Sequence, residues 1–254
     1  MRTAVTVLAM LVMPGLLLAA DKPVVKACTE NEDSFPWVLK DRPGLTIQMM
    51  GMLEKQVGGK IEVKPLPWKR CMEEVKNGTV DAAFKISYSA ARAAELGNYP
   101  MAGDKPDASK RLLTDSYSLY RLKGTAVEWD GKTLKVDGSV GAQSGFSVVD
   151  QLKGLGVKVD DGTRSADDNL KKLVAGRFVA LALQTEEGDT SIESNPEFKG
   201  KVERIKPFLI EKPYFLIFSK QFTTKNAAYV QEVWDAIGKV RESAEYANAS
   251  KSFK

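Results

Sequence analysis

The chain lacks histidine altogether and has only two cysteines among its 254 residues. Without histidine, a Ser-His-Asp triad, a Cys-His pair and a histidine-ligated metal site are all excluded. The remaining candidates for acid–base chemistry are carboxylates, among them Glu30, Glu186 and Glu187. We therefore expect a binding protein without a metal or cofactor, and we keep an enzyme that uses one of these groups as a general acid as the alternative.

An excess of charge of one sign is also lacking. Lys and Arg total 37, Asp and Glu total 33, and both signs are mixed along the chain. Because nucleic-acid-binding proteins concentrate basic residues on one face, we expect no nucleic-acid partner. The length allows one large domain or two lobes of about 100 residues each.

Residues 1–20 are predicted to be a cleavable signal peptide. Arg2 gives a positive start, Ala4–Leu18 is apolar, and the small residues Ala19-Ala20 follow it. The apolar run is short and interrupted for a membrane span, although an uncleaved anchor is the alternative. No cysteine lies at the predicted cleavage point, so we expect a periplasmic protein that begins near Asp21 and carries no lipid anchor.

The two cysteines are Cys28 and Cys71. In an exported protein an even number of cysteines usually indicates a disulfide bond. The alternative is two separately buried thiols.

The first half of the chain alternates between strand and helix patterns. Apolar residues at helical spacing, such as Trp68, Met72 and Val75, predict helices, and alternating residues predict strands between them. A strand–helix–strand–helix–strand series predicts a mostly parallel sheet covered on both faces. The predicted strands are 22–28, 60–66 and 79–86, and the predicted helices are 45–57 and a shorter one that starts near 68 and ends at 77–78.

Ligands of such sheets bind beyond the carboxyl ends of the strands. Glu30, Trp68 and Ser87 each follow a predicted strand end, so they are candidates for one shared crevice. Ser87 or Ser89 can cap the next helix, which places Arg92 in its first turn. A guanidinium beside free backbone N–H groups suits a carboxylate or phosphate, and the alternative is an ordinary surface arginine.

A second strand–helix series follows residue 124, which suggests two similar lobes joined by crossing strands. The Ser- and Gly-rich turn Gln143–Ser147 offers hydroxyl and N–H groups to an anion, or simply caps a helix. A ragged tail is expected at 245–254. The predicted strands are 111–122, 139–142, 157–159, 178–183, 202–209 and 214–219, and the predicted helices are 148–153, 166–175 and 224–240.

The order and spacing of several short segments resemble bacterial periplasmic solute-binding proteins that serve amino-acid ABC transporters. In that family a Trp-containing segment leads into a helix, a Gly-x-x-Asp element, a strand and a Thr-Pro-Glu-Arg element. The resemblance covers nearly the whole mature sequence. The matching segments are 67–68, 77–81, 89–92, 129–132, 140–147, 173–180 and 214–219.

The resemblance implies an α/β fold of the two-lobed, type II periplasmic-binding-protein kind. Each lobe is then a mostly parallel sheet flanked by helices, and two crossing strands join the lobes. Lobe 1 is expected at 21–118 plus 214–254, and lobe 2 at 119–213. The implied function is capture of a small polar, carboxylate-bearing ligand by a monomer that delivers it to an inner-membrane ABC permease; the alternative is a sensory protein that serves a membrane receptor.

The resemblance also implies roles for individual residues. Arg92 grips a ligand carboxylate, and the turn around Gly145–Ser147 holds it from the other lobe. Glu30 meets a ligand amine, and Trp68 forms a wall together with Phe35 or Trp37. The complete set of ligand-binding candidates is Glu30, Phe35, Trp37, Trp68, Ser87, Arg92, Gly145, Phe146, Ser147, Gln184 and Glu186.

The sequence departs from the family pattern in its spacing and at four positions. The Asp-to-Arg spacing is one residue shorter than usual, so the strand before Arg92 is expected to bulge or to end differently. Lys85 and Ile86 stand where small residues and Gly are common, and Phe146 replaces the usual Thr. Gln184 replaces an acidic residue that pairs with the α-ammonium of the ligand, and a neutral amide cannot offset a buried ammonium. The sequence leaves two alternatives: a carboxylate-bearing ligand without that amine, or an amine held by Glu30 or Glu186.

Overall fold

The structure is a computed structural model that describes residues 22–253. The predicted signal peptide at 1–20 lies outside these residues. Within them, no helix is both long enough and apolar enough to cross a membrane. Export to the periplasm therefore stays a prediction.

The helices agree with the apolar spacing in the first half of the chain. The expected helix over Leu45–Val57 is present with these bounds, and the next helix ends at Gly78, whose φ of 72° is the left-handed stop that Asn77-Gly78 predicted. A single turn of 3₁₀ helix covers Ala108–Lys110. The α-helices are α1 (Leu45–Val57), α2 (Trp68–Asn77), α3 (Ala90–Glu95), α4 (Val148–Gly154), α5 (Ala166–Val174), α6 (Thr185–Ser194), α7 (Lys220–Arg241) and α8 (Ala244–Lys251).

The strands form one large sheet and two small hairpins. The hairpins pair β5 with β6 and β8 with β9, and the remaining strands belong to the large sheet. The strands are β1 (Val25–Glu30), β2 (Ile61–Leu66), β3 (Ala82–Ser87), β4 (Gly97–Asn98), β5 (Met101–Ala102), β6 (Lys105–Pro106), β7 (Leu113–Leu122), β8 (Val127–Trp129), β9 (Leu134–Val136), β10 (Ser139–Gln143), β11 (Lys158–Thr163), β12 (Ala180–Gln184) and β13 (Val202–Ser219).

The large sheet has the strand order β11-β10-β12-β7-β13-β3-β1-β2, with β4 added beside β13. On one side β1, β2 and β3 run parallel, and on the other side β10, β11 and β12 run parallel. Between them the long strands β7 and β13 pair with each other and run antiparallel to their other neighbours. The two predicted parallel series and the two crossing strands are therefore all present.

Helices cover both faces of each parallel series. Phe84 of β3 packs into a core with α1 and α7, whereas its neighbour Ile86 packs on the opposite face into a core with α2. The β10–β12 series likewise has separate cores around Leu152 of α4 and Leu170 of α5. This arrangement leaves the carboxyl ends of the parallel strands uncovered by helices and available to form a site.

Cys28 of β1 and Cys71 of α2 form a disulfide bond, with their Cα atoms 5.7 Å apart. The predicted disulfide is confirmed, and the alternative of two separate thiols is wrong. The bond ties α2 to β1, the strand that ends at Glu30. Trp68 is the first residue of α2, three residues before Cys71.

Three expectations about secondary structure are wrong. The tail at 245–254 is mostly helical, because Ser243 caps α8 and Tyr246 packs against the core around α1 and α7. The two strands expected at 202–209 and 214–219 are one strand, β13, whose pairing with β7 shifts register between Ile205 and Ile210. Helix α6 begins where only a strand end was expected. Gly188 allows α6 to pack closely on Tyr120, because a Cβ atom there would lie 2.7 Å from the hydroxyl oxygen of Tyr120.

Candidate functional site

A cavity lies where the two parallel series meet the crossing strands. Ser87 ends β3 beside Tyr214 of β13, and Gln184 ends β12 beside Tyr117 of β7. The empty space measures about 410 Å³ when open solvent is counted, and the centre of a water-sized sphere can occupy about 30 Å³ of it, so the closed cavity is small. The residues that line it are Thr29, Glu30, Ser34, Val38, Trp68, Lys85, Ser87, Arg92, Tyr117, Phe146, Ser147, Gln184 and Tyr214.

One end of this cavity is lined by three hydrogen-bond donors, Arg92, Ser87 and Ser147, and Lys212 contacts Ser147 beside it; we call these four residues the donor cluster. Arg92 Nη1 donates to Ser87 Oγ over 3.0 Å, and Ser87 Oγ lies 2.9 Å from Ser147 Oγ. Lys212 Nζ donates to Ser147 Oγ over 3.1 Å. Within residues 22–253 neither Arg92 nor Lys212 forms a salt bridge. The cluster therefore holds two cations whose charges no carboxylate contacts.

Local structure positions both sides of the donor cluster. Ser89 Oγ accepts the backbone N–H of Arg92 over 3.2 Å, which starts α3 and directs the guanidinium back toward Ser87. Across the cavity, Gly145 O accepts from Arg92 Nη2 over 3.2 Å. Gly145 has a φ of 81°, and a Cβ atom there would lie 3.4 Å from Trp68 Cδ1. A glycine is therefore suited to this turn, which carries Ser147 up to Ser87.

Burial and the charge of Arg92 lower the pKa of Lys212 to about 8. The repulsion between these two cations is relieved when an anion lies between them. Burial raises the pKa of the Tyr117 and Tyr214 hydroxyls, so both phenols stay protonated at neutral pH. The cavity thus presents mainly hydrogen-bond donors beside the aromatic ring of Trp68, a combination that suits an acidic group attached to an apolar body.

Lys85 enters the cavity from a bulge in β3. Ile86 pairs with Phe215 and Ala83 with Ile217, so two residues of β3 oppose a single residue of β13 at this point. Lys85 has a φ of 58°, a backbone conformation that non-glycine residues rarely adopt. Its Nζ atom donates to Gln184 Oε1 over 2.7 Å and also to Ser34 Oγ.

Three acidic residues surround Lys85 without contacting its ammonium: Asp115, Glu187 and Glu30. Desolvation lowers the pKa of Lys85, while these three negative charges act in the opposite direction. Desolvation also raises the pKa of Glu187 to about 8, with the charge of Lys85 as the main opposing influence. Lys85 is therefore the basic group at the centre of an acid-rich region behind the cavity.

Glu30 is the one acidic residue that lines the cavity. Its Oε1 atom accepts the backbone N–H groups of Asn31 at 2.7 Å and Glu32 at 3.2 Å. Its Oε2 atom is buried and has no hydrogen-bond partner among residues 22–253. Desolvation is the largest influence on this carboxyl and raises its pKa.

Direct contacts bridge the two sides of the cavity at its mouth. Arg164 Nη1, beside the start of α5, donates to Asn31 Oδ1 over 2.8 Å, and Arg164 Nη2 lies 3.2 Å from Glu32 Oε1. Ser34 Oγ donates to Gln184 Oε1 over 3.0 Å. The structure is therefore a closed arrangement, in which residues from both parallel series touch across the cavity.

Most of the residues predicted for the site lie at this cavity. Gly145 does not line it, but its carbonyl oxygen contacts Arg92 at the edge. The predicted residues that line the cavity are Glu30, Trp68, Ser87, Arg92, Phe146, Ser147 and Gln184.

Phe35, Trp37 and Glu186 lie elsewhere, in a separate surface groove. The loop after β1 directs Phe35 toward Phe253, with the two ring centroids 6.1 Å apart. Trp37 Nε1 donates to Asp115 Oδ2 over 3.0 Å, outside the cavity. Glu186 is exposed on the first turn of α6, whereas Glu187 points inward. In the closed structure these three residues therefore do not line the cavity, and their contact with a ligand stays a prediction.

Several cavity residues were not expected from the sequence. Lys85 was noticed only as a departure from the family pattern, and its role depends on the bulge in β3. Tyr117, Lys212 and Tyr214 lie on the crossing strands, where only the tertiary pairing of β7 with β13 decides which side chains reach the cavity. Ser34 was available as a polar residue after β1, but the path of that loop depends on the distant contact between Trp37 and Asp115.

Within residues 22–253 no group of three or more acidic or cysteine side chains is arranged to hold a metal ion. No protein-family model matches the sequence, and no curated protein sequence is significantly similar to it.

The fold itself is shared with many solved structures. One is "An ancestral arginine-binding protein bound to glutamine", which is 19% identical with a TM-score of 0.70, covering 91% of this chain and 98% of that one. A "substrate binding protein of an amino acid ABC transporter" is 16% identical with a TM-score of 0.68, covering 91% and 99%. A "Histidine Kinase Sensor Domain with Similarity to Periplasmic Binding Proteins" is 13% identical with a TM-score of 0.71, covering 92% and 96%. These similarities show that the chain has the two-lobed type II periplasmic-binding-protein fold, which confirms the predicted fold class.

Proposed function

We propose that this protein is a periplasmic solute-binding protein that captures a small carboxylate-bearing ligand and delivers it to an inner-membrane ABC permease. The observation that supports this most directly is the donor cluster, in which Arg92 and Lys212 lack any carboxylate partner within the described residues. A ligand carboxylate supplies the missing acceptor. Two hydroxyls from opposite sides of the cavity complete its hydrogen bonds.

The cluster also couples ligand binding to closure. Ser87 and Arg92 come from the side of β3, whereas Ser147 comes from the turn before α4. A carboxylate therefore reaches all of its donors only when the two sides are together. In this proposal residues 21–118 plus 214–254 form one lobe, residues 119–213 form the other, and the crossing strands β7 and β13 act as the hinge.

The apolar part of the ligand lies against Trp68 and Phe146. Both residues line the cavity beside the donor cluster. We propose no catalytic step, because binding and closure account for these residues and the ligand is expected to be recovered chemically unchanged. Conversion of a bound ligand into a new product would contradict this part of the proposal and favour an enzyme that uses a buried carboxyl such as Glu187.

The first experiment identifies the ligand by native mass spectrometry of the mature protein, followed by mild unfolding. Isothermal titration calorimetry with that ligand then compares wild type with Arg92→Ala. Because the substitution removes a charged partner of a buried carboxylate, affinity is expected to fall about 30-fold or more. Arg177→Ala is the matched control, since Arg177 is exposed, and its affinity is expected to equal that of wild type. Unchanged affinity in Arg92→Ala would refute the proposed carboxylate site.

A sensory role is the second candidate, supported by the similarity to a histidine kinase sensor domain. The same cavity chemistry serves both roles, so only the membrane partner separates them. In reconstituted vesicles, transport predicts that the liganded protein stimulates the ATPase activity of its permease. Binding to a receptor ectodomain without any such stimulation would favour sensing.

Size-exclusion chromatography with light scattering tests whether the protein is a monomer, and cell fractionation tests the periplasmic location.

A further inference from the structure

Lys85 places an ammonium group inside the ligand cavity itself. The bulge in β3 turns this side chain inward, and its Nζ atom donates to Gln184 Oε1 over 2.7 Å and to Ser34 Oγ. Both acceptors line the cavity. Gln184 is the last residue of β12, and Ser34 lies in the loop after β1. The cation therefore takes up the acceptors on one side of the cavity before any ligand arrives.

The same acceptors are unavailable to a ligand amine for a second reason. Gln184 Oε1 also accepts from Ser34 Oγ over 3.0 Å, so its two lone pairs are both used. Its amide nitrogen donates to Tyr214 over 2.8 Å, which fixes the orientation of the amide. A second ammonium placed here would meet a cation and donors instead of acceptors.

We infer that Lys85 is a specificity-determining residue that excludes α-amino acids, so that the ligand is a carboxylic acid without an α-amine. This inference rests on the proposed function, because it assumes that a ligand carboxylate occupies the donor cluster. An α-ammonium lies only two bonds from its own carboxylate carbon, so it must stay inside the cavity once Arg92 holds that carboxylate. Leaving such a group unpaired next to another cation is strongly unfavourable.

Glu30 provides the main competing explanation. Its Oε2 atom is buried at the cavity without a partner among the described residues, so it is the acceptor that an incoming amine would use. However, its Oε1 atom already accepts two backbone N–H groups, and Arg164 lies 3.5 Å away as a fixed positive neighbour. The experiment must therefore include a variant at Glu30.

The test uses calorimetry with pairs of probes that differ only in the amine. The pairs are glutarate with L-glutamate, and 4-methylpentanoate with L-leucine, so that both a polar and an apolar body are represented. For the pair that fits the cavity, wild type is expected to bind the acid without the amine at least about tenfold more tightly than the amino acid. Binding of none of the four probes would contradict both the inference and the proposed carboxylate site.

Two substitutions at Lys85 then test whether this residue causes the preference for the acid without the amine. Lys85→Gly suits the φ of 58° and frees Gln184 Oε1 and Ser34 Oγ, so the preference is expected to fall about tenfold or to reverse. Lys85→Met keeps most of the side-chain volume without the charge, and it separates repulsion from simple occupation of space. Circular dichroism and melting temperatures establish that each variant is folded. The wild-type comparison stands even if a variant fails to fold.

Two results would overturn the inference while leaving the proposed function intact. In the first, the wild-type protein binds L-glutamate or L-leucine as tightly as the matched acid, and Glu30→Gln loses the affinity for the amino acid. The other is a preference for the acid that remains unchanged in both Lys85→Gly and Lys85→Met. Loss of carboxylate binding in Arg92→Ala, measured on the same probes, shows independently that the donor cluster is the carboxylate site.

Discussion

The hydroxyl oxygens of Ser87 and Ser147 lie 2.9 Å apart, although Ser87 belongs to the β1–β3 parallel series and Ser147 follows the β10–β12 series at the other end of the sheet. Ser87 ends strand β3, and Ser147 ends the turn that precedes helix α4. Each hydroxyl also accepts from a cation, Ser87 from Arg92 and Ser147 from Lys212. This contact joins the two halves of the candidate site, so the proposed binding of an anion there is expected to stabilise the closed arrangement.

The first prediction concerns the pH dependence of binding. The pKa of Lys212 is lowered to about 8, first by desolvation and then by the charge of Arg92. Below this pH Lys212 is charged and attracts an anion; as the pH rises above about 8 it loses its proton, so affinity for a carboxylate is expected to fall. We expect a decrease of about three- to tenfold between pH 7 and pH 9.5, measured by calorimetry with the ligand identified by mass spectrometry.

The variant that checks this assignment is Lys212→Met. It is expected to bind more weakly than wild type at pH 7 and to show a flatter profile up to pH 9.5. Lys105→Met, at an exposed position on the hairpin of β5 and β6, is the matched control and is expected to keep the wild-type profile. An equally steep profile in Lys212→Met would assign the pH dependence to another group.

The second prediction concerns stability and Glu187. Desolvation raises its pKa to about 8 in the folded protein, compared with 4.5 for the free group. The folded state therefore keeps a proton that the unfolded chain releases, and the stability from this group is present below pH 4.5 and lost as the pH rises toward 8. Glu187→Gln removes this loss because the amide has no charge to desolvate.

We expect Glu187→Gln to exceed wild type in free energy of unfolding by about 1 kcal/mol or more at pH 8. The advantage is expected to shrink at pH 5, as measured by urea denaturation at both values. Glu186→Gln is the matched control, because the adjacent residue is exposed, and its stability is expected to follow that of wild type. If Glu187→Gln were less stable than wild type at pH 8, the attraction between the Glu187 carboxylate and the charge of Lys85 would outweigh the desolvation of Glu187.

Local patterns in the sequence were sufficient for the parallel strands and for the residues at their carboxyl ends. Helix α1, the stop at Gly78 and the positions of Ser87 and Arg92 all follow from spacing and capping within about ten residues. The wrong expectations involve distant contacts. The close packing of helix α6 on Tyr120 depends on the fit of Gly188, which no local pattern indicates.

In the candidate site, too, local sequence patterns predicted some residues, whereas the positions of others depend on distant contacts. The family resemblance implied that Phe35 or Trp37 forms a cavity wall, but hydrogen bonding of Trp37 to Asp115 on β7 places both residues in a separate groove. The short spacing between Asp81 and Arg92 predicted a bulge or an altered end in the strand before Arg92, and β3 does bulge, but the contact of Lys85 with Gln184 was not expected because that spacing does not indicate which side chain turns inward. Tyr214 and Lys212 reach the site only because β13 crosses between both parallel series, and a crossing strand is defined by its partners and not by its own sequence.

The third prediction concerns the disulfide between Cys28 and Cys71. Its 43-residue separation closes a loop whose loss of freedom in the unfolded chain is worth about 4 kcal/mol on the chain-entropy model. The double variant Cys28→Ala/Cys71→Ala is therefore expected to lose about this free energy of unfolding in urea. Reduced wild type is expected to show a similar loss, whereas the double variant should be insensitive to reductant.

The disulfide should also affect binding less than it affects stability. Trp68 starts α2 three residues before Cys71, and the core around Val75 and Phe215 still packs this helix onto the sheet without the covalent bond. Ligand affinity of the folded double variant is therefore expected to stay within about threefold of wild type. A much larger loss of affinity at a temperature where the variant is fully folded would mean that the disulfide, and not this packing, holds Trp68 at the cavity.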